Sequence, residues 1–185
     1  MPLDSTLPHP VNHDAYPDAY VRSILTSVKT VAMVGASDNE SRPSFFVLKY
    51  LINKRYRVFP INPGIAGKML LGQMVYGSLA EVPVPIDLVD VFRKPEAIPA
   101  VVEQALALDP KPKVIWLQLG LRDDAAAARA EAAGVRVIMN RCMKIEYGRL
   151  CGEIGWMGVN SRTLSSKKPI LRSTGFQHLD LDAKD

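Results

Sequence analysis

The residues best placed to do chemistry are Gly35, Ala36 and Ser37. They follow the apolar run Val31-Ala32-Met33-Val34 and precede an amphipathic stretch that begins at Ser44. A strand that turns through such a triplet into a helix offers backbone N–H groups and a helix N-terminus to an anion, so the turn suits a phosphate-bearing ligand. The dinucleotide pattern G-x-G-x-x-G is not met, because Gly35 is followed by Ala36, Ser37, Asp38, Asn39, Glu40 and Ser41. Asn39 and Arg42 lie in the same turn and join the candidate ligand-facing residues. The end of the next apolar run is a second discriminator. A nicotinamide-binding chain carries Asp or Glu there to bond the ribose 2′-hydroxyl. This chain has Ile61-Asn62-Pro63 instead. With no carboxylate to repel it, an anionic group near the ribose is tolerated, and Lys68 follows closely enough to pair with a phosphate. NADP is compatible with that feature alone; the glycine-poor turn argues against it.

Acid–base and nucleophilic devices are harder to assemble. The histidines, His9, His13 and His178, all lie in terminal segments, so a Ser-His-Asp or Cys-His arrangement has no base in the central region. Two cysteines without a C-x-x-C pair do not supply the four ligands of a structural zinc site. Cys142 sits beside Arg141, which can lower its thiol pKa, although a small buried residue that fills space is the plainer reading. Asp38 and Glu40 are expected as N-terminal acids of the following helix, where they meet its dipole. Asp87 and Asp90 interrupt an apolar strand, where an acid is costly unless paired. Asp90 is expected to be held by a hydrogen bond near the strand end rather than to act in catalysis.

Strands and helices alternate around these residues. Strands are expected at 31–35, 57–62, 86–92, 113–118 and 135–139, with a short one at 74–76 inside an otherwise loop-like stretch from 65 to 79. Helices are expected at 18–28, 44–54, 95–108 (opened by Pro95) and 123–133 (capped by Gly134). Alternation of this kind specifies right-handed βαβ units and hence a Rossmann-like, doubly wound α/β fold, a mostly parallel sheet in a three-layer sandwich. Residues 1–17 read as an extended arm. Residues 18–150 form the domain, and 151–185 a tail packed on the domain or on a partner subunit. In such a sheet the ligand lies beyond the C-terminal strand ends. That rule selects Gly35-Ala36-Ser37, Asn62-Pro63, Phe92-Arg93, Gln118-Leu119-Gly120 and Asn140-Arg141-Cys142 before any other consideration. Trp116, within a strand, is expected in the core.

Composition narrows the function classes. At 185 residues, 48% of them hydrophobic, the chain suits one soluble domain. Its net charge of +4 is spread along the sequence without the basic, aromatic-interleaved cluster of a nucleic-acid binder. No apolar run has the length of a membrane span, and the first residues lack the pattern of a secretory signal, so a cytoplasmic location is expected.

The phrases VGAS with RPS, RVFPINP, GK, YGSLAEVP, IDLVDVFRKPE, VIWLQLG and AEAAGVRVIMNRCMKIEYGRL together resemble the small bacterial CoA-binding domain proteins. These are similar to a stand-alone N-terminal nucleotide-binding domain of the succinyl-CoA synthetase α subunit. The similarity covers about residues 18–150, and IDLVDVFR, WLQLG and NRC are its most specific parts. It implies a domain that binds coenzyme A or an acyl-CoA across the strand ends. Gly35, Ala36 and Ser37 would then approach the phosphates, with Asn62 and Pro63 on the adenosine side and Lys68 near a phosphate. Phe92 and Arg93 would flank the nucleotide, and Gln118 and Gly120 would border the pantetheine path. The synthetase relays phosphate through a histidine in a second domain. This chain has neither that domain nor a histidine in its central region, so ligase activity is not implied. The expected function is non-catalytic binding of coenzyme A, as a possible homodimer. The alternatives are an NAD(P)-dependent oxidoreductase and a CoA-ligase subunit completed by a partner chain.

Overall fold

The computed structural model describes residues 13–153 and Leu181. Most of the expected arm (1–17) and tail (151–185) lies outside the described residues. The chain divides into two compact units: Val28–Cys142, and the described parts of Met1–Ser27 and Met143–Asp185. Its strands are β1 (Thr30–Val34), β2 (Arg57–Ile61), β3 (Met69–Leu70), β4 (Gln73–Met74), β5 (Leu88–Val91), β6 (Val114–Leu117) and β7 (Arg136–Ile138). Its helices are α1 (Asp18–Ser27), α2 (Pro43–Asn53), α3 (Ile98–Leu106), α4 (Asp124–Ala132) and α5 (Met143–Leu150).

In the unit Val28–Cys142 five strands form one sheet in the order β2-β1-β5-β6-β7, every pair parallel. The chain first steps from β1 outward to β2, then returns past β1 to β5 and continues the other way. Right-handed crossovers therefore place α2 on one face and α3 and α4 on the other. Ala32, Val34, Val89, Val91, Ile115 and Leu117 of the sheet pack with Ile98, Val102 and Ala105 of α3 and Ala126 and Ala130 of α4. Each such aliphatic side chain contributes roughly 1.5–3 kcal/mol on burial. Because both faces are covered, β5, β6 and β7 are buried along their whole length, which is why they read as apolar runs, broken only by Asp90 in β5 and by Arg136 at the start of β7. Trp116 is fully buried, as expected.

Local chemistry sets the helix ends. Asp123 caps α4 by accepting from the Ala126 N–H at 2.8 Å. At its other end Gly134 adopts φ 82°, donates to the Glu131 carbonyl, and lets Val135 donate to the Ala130 carbonyl. That pair of bonds is a Schellman motif, which demands a left-handed residue at the glycine position.

Several expectations are corrected. Asp38 and Glu40 do not lie in the first turn of α2. The extended Arg42 precedes Pro43, which occupies the helix start, and a residue before proline is kept out of helical geometry. The stretch 65–79 is more ordered than a loop, since β3 and β4 form an antiparallel hairpin. Leu71 and Gly72 turn it with positive φ at both positions, a geometry usually announced by Asn-Gly, so leucine muted the signal. The strand expected at 74–76 is reduced to Gln73–Met74 and a single bridge between Tyr76 and Ile61. The helix expected at 95–108 opens as a 3-10 turn and becomes α3 only at Ile98. Helix α5 was not anticipated; Gly148 in its interior lowers its propensity.

Below the sheet, Asp87 clamps two strands. Its carboxylate accepts from the Lys29 and Thr30 N–H groups at 2.8 and 3.0 Å and meets the Lys113 ammonium at 2.7 Å. Burial alone would raise its pKa, but the Lys113 hydrogen bond, the two amides and the Thr30 hydroxyl together hold it below the usual carboxylate range. The stabilisation is therefore present above that range and lost as pH falls through the lowered pKa. We expect Asp87→Ala to cost about 2 kcal/mol in urea unfolding at neutral pH, with the difference from wild type closing in acid. A pH-independent difference would show that the charge is not responsible.

In the other unit Arg149 joins α1 to α5. Its guanidinium lies 2.7 Å from both Asp18 and Glu146, and Arg22 donates to the Leu150 carbonyl. The Arg149 hydrogen bond holds the Asp18 carboxyl below its ordinary pKa.

Candidate functional site

The strand order reverses between β1 and β5, so the crevice beyond their C-terminal ends is the place where this topology leaves room for a ligand. Gly35 sits at that point with φ 90°. A Cβ built on it would lie 2.2 Å from the Phe92 carbonyl oxygen and 3.1 Å from Cδ of Arg93. Glycine thus lets the two strand ends close on one another, and it brings the Arg93 side chain over the turn.

The turn is not the uniform cradle expected of it. The N–H groups of Gly35 and Ala36 both donate to the Ile61 carbonyl, at 2.9 and 3.3 Å. The Asn39 N–H donates to the Ser37 hydroxyl, and the Asn39 side-chain oxygen accepts from the backbone and hydroxyl of Ser41. Asn39 therefore shapes the loop. Among the described residues, the N–H groups of Ser37, Asp38 and Glu40 have no acceptor, and they are what the turn can offer an anion.

Asn62 ties the neighbouring strand end to this turn. Its amide donates to the Ala36 carbonyl at 2.7 Å, while its side-chain oxygen accepts from the Gly64 N–H at 2.9 Å and caps a 3-10 turn begun by Pro63. The same chain segment carries Lys68, whose ammonium lies 3.8 Å from the Asp38 carboxylate, both side chains being largely exposed. Such a loose surface pair contributes little and opens readily to a competing anion. Among the described residues the side chains of Arg42 and Arg93 make no hydrogen bond or ion pair. Gly35, Ala36, Ser37, Asn62, Lys68, Phe92 and Arg93 are thus brought to one end of the sheet. Asn39 shapes their loop from within, and no hydrogen bond or ion pair among the described residues ties the Arg42 side chain to the others.

The remaining candidates form a second group at the ends of β6 and β7. The Gly120 N–H donates to the Asn140 side-chain oxygen at 2.8 Å, and the Asn140 N–H donates to the Leu121 carbonyl at 3.1 Å. The guanidinium of Arg141 donates to the Asn140 carbonyl, and the Arg141 carbonyl accepts from the Trp116 indole at 2.8 Å. Cys142 is buried. Gln118 does not face outward: its amide donates to Asp90 at 2.7 Å, and both residues are buried. Asp90 is thus held by a hydrogen bond, as expected. Burial pushes its carboxyl up to about 7, opposed by the Gln118 bond, and its second oxygen has no partner among the described residues. The sequence signal for this pair was available in part, since an acid inside an apolar strand demands a polar neighbour. Nothing in the spacing identified Gln118 as that neighbour.

A pocket of about 290 Å³ lies at the other end of the sheet, between residues 79–86 and 108–110. Asp109 is its only ionisable lining residue, so it offers little to a charged ligand. No helix among the described residues is long and apolar enough to cross a membrane.

Comparison with known proteins agrees with this fold. Residues 29–148 match the family model of the CoA binding domain. The uncharacterized protein YneT of Bacillus subtilis is 37% identical over 129 residues, covering 70% of this chain and 93% of its own length. A solved hypothetical protein from Pyrococcus horikoshii is 37% identical, covers 78% of this chain and 97% of its own, and superposes with a TM-score of 0.69. A dinucleotide-forming acetyl-coenzyme A synthetase of Ca. Korarchaeum cryptofilum shares the fold at 22% identity and a TM-score of 0.51, over 59% of this chain and 25% of its own.

Proposed function

The chain belongs to the CoA binding domain family, and from that premise we propose that it binds coenzyme A or an acyl-CoA as a stand-alone, non-catalytic module. The observation that carries this reading is the convergence at the strand crossover. There the unspent N–H groups of Ser37, Asp38 and Glu40 accompany Arg93, which lies over Gly35, and Lys68, which is held only by a loose exposed pair. Together they form a phosphate-binding surface without the glycines or the ribose-binding acid that a nicotinamide dinucleotide uses. Gly120 and Asn140, at the ends of β6 and β7, border the path of the pantetheine arm. Arg141 and Cys142 lie beyond them. The binding-only reading follows from the chain's histidines, none of which falls between His13 and His178.

Calorimetric titration with CoA, NAD and NADP tests the proposal. CoA should give saturable heat and the nicotinamide cofactors none; the reverse result would overturn it. Arg93→Ala and Lys68→Ala should each weaken CoA about 5- to 10-fold, about 1–1.4 kcal/mol, with the loss shrinking at high salt. Unchanged affinity in both variants would remove the phosphate assignment.

A further inference from the structure

Asp90 and Gln118 form a polar pair in the middle of an apolar core, and the Gln118 main chain is itself hydrogen-bonded into the loops at the surface. The Asp90 carboxyl accepts from Gln118. The Gln118 backbone carbonyl accepts from the Leu121 N–H at 3.0 Å, the Leu121 backbone carbonyl accepts from the Asn140 N–H, and the Asn140 side chain accepts from the Gly120 N–H. The pair therefore anchors both loops that follow β6 and β7. In the sheet Asp90 stands between Met33 of β1 and Trp116 of β6, neither of them ionisable. Among the described residues no charged group from any neighbouring element acts on it, and Gln118 is its one polar partner. A carboxyl so placed has two distinct states. Neutral, it accepts one hydrogen bond from Gln118 and carries no charge, its O–H standing on the oxygen that has no partner among the described residues. Charged, it leaves a buried oxygen unsatisfied and draws the Gln118 amide more strongly.

We propose that Asp90 and Gln118 act as a proton-sensitive positioning device, in which gain or loss of the Asp90 proton shifts the Gln118–Leu121 and Asn140 loops and so alters ligand affinity. Burial supports a change of state close to neutral pH, where a cell can use it. The inference rests on the coenzyme A reading only for the identity of the ligand. Asp90 and Gln118 are positioning residues in this account.

The first test needs no ligand. Amide shifts of Gly120, Leu121 and Asn140 in the full chain, followed by NMR from pH 5 to pH 9, should share one midpoint near neutrality. Asp90→Asn should abolish that common titration. Gln118→Met, which keeps the bulk but removes the donor, should move the midpoint upward. Flat shifts in the wild type, or an unchanged profile in Asp90→Asn, would overturn the proposal.

A second test uses CoA at pH 6 and pH 8. The ratio of affinities in the wild type, divided by that in Asp90→Asn, cancels the ionisation of CoA itself. It should differ from one by about threefold or more. A ratio of one alongside titrating amides would overturn the coupling to the site. Titrating amides with no CoA binding at all would uphold the device and overturn the choice of ligand.

Discussion

Replacing Gly35 by alanine should cost about 3 kcal/mol or more of unfolding free energy and weaken CoA by at least about tenfold. Two independent penalties act at this position. The backbone has φ 90°, a region that an L side chain enters only with strain. The new methyl would also lie 2.2 Å from the Phe92 carbonyl oxygen, and this neighbour is backbone that no rotamer change can withdraw. Relief requires β1 and β5 to part at their C-terminal ends. That movement displaces Arg93 and opens the crossover where the phosphates are proposed to bind.

Gly67→Ala is the control. Gly67 has φ 82° with nothing within 4 Å of the built Cβ, so it carries the conformational penalty alone, about 1 kcal/mol. Urea unfolding of the two variants measures the difference directly. Equal destabilisation would show that the Phe92 contact is unimportant, and intact CoA affinity in Gly35→Ala would detach this turn from the ligand.

That contrast shows where the sequence was legible. Gly35, Gly67 and Gly134 look alike in the chain, and the turn chemistry of Gly134 could be read locally because Asp123, the alanine run and Val135 all lie nearby. The need for glycine at 35 comes from Phe92, far along the chain, and only the pairing of β1 with β5 reveals it. The strands themselves were plain because a parallel sheet covered on both faces writes its elements as largely apolar runs. The strand-end rule then proposed Asn62, Phe92, Arg93, Gly120 and Asn140 from topology alone. It could not tell which way their side chains turn. Gln118 follows its strand as Arg93 follows β5, yet Gln118 points inward to Asp90 while Arg93 lies over the turn. Periodicity is equally silent on the hairpin at 69–74, where leucine occupies a position usually held by a turn former, and on α5, where glycine interrupts a short helix.

The second large effect is a reversal of sign with pH. In the folded chain the Asp90 carboxyl titrates at about 7 because burial penalises its charge; in the unfolded chain it titrates near 4. Between those values the folded state keeps a proton that the unfolded state has released, so stability falls as pH rises, by about 1.4 kcal/mol per unit. Above neutrality the accumulated cost is on the order of 4 kcal/mol. Asp90→Asn removes the titration. Its side-chain oxygen can still accept from Gln118, but its amide nitrogen occupies the place of an oxygen that has no partner, a cost of about 1–3 kcal/mol at every pH.

The variant should therefore be less stable than wild type at pH 4 and more stable at pH 8.5, with the two stability curves crossing at about pH 5–6. Urea unfolding at these two values decides it. A difference of constant sign and size would mean that Asp90 is already ionised at pH 4 in the folded protein. The crossing also bears on why an acid occupies this strand. An amide would serve the hydrogen bond to Gln118 at every pH, and a hydrophobic residue would serve the core. The carboxyl differs from both in having two states within reach of neutral pH, and the loops that border the proposed ligand site hang from the residue that detects the change.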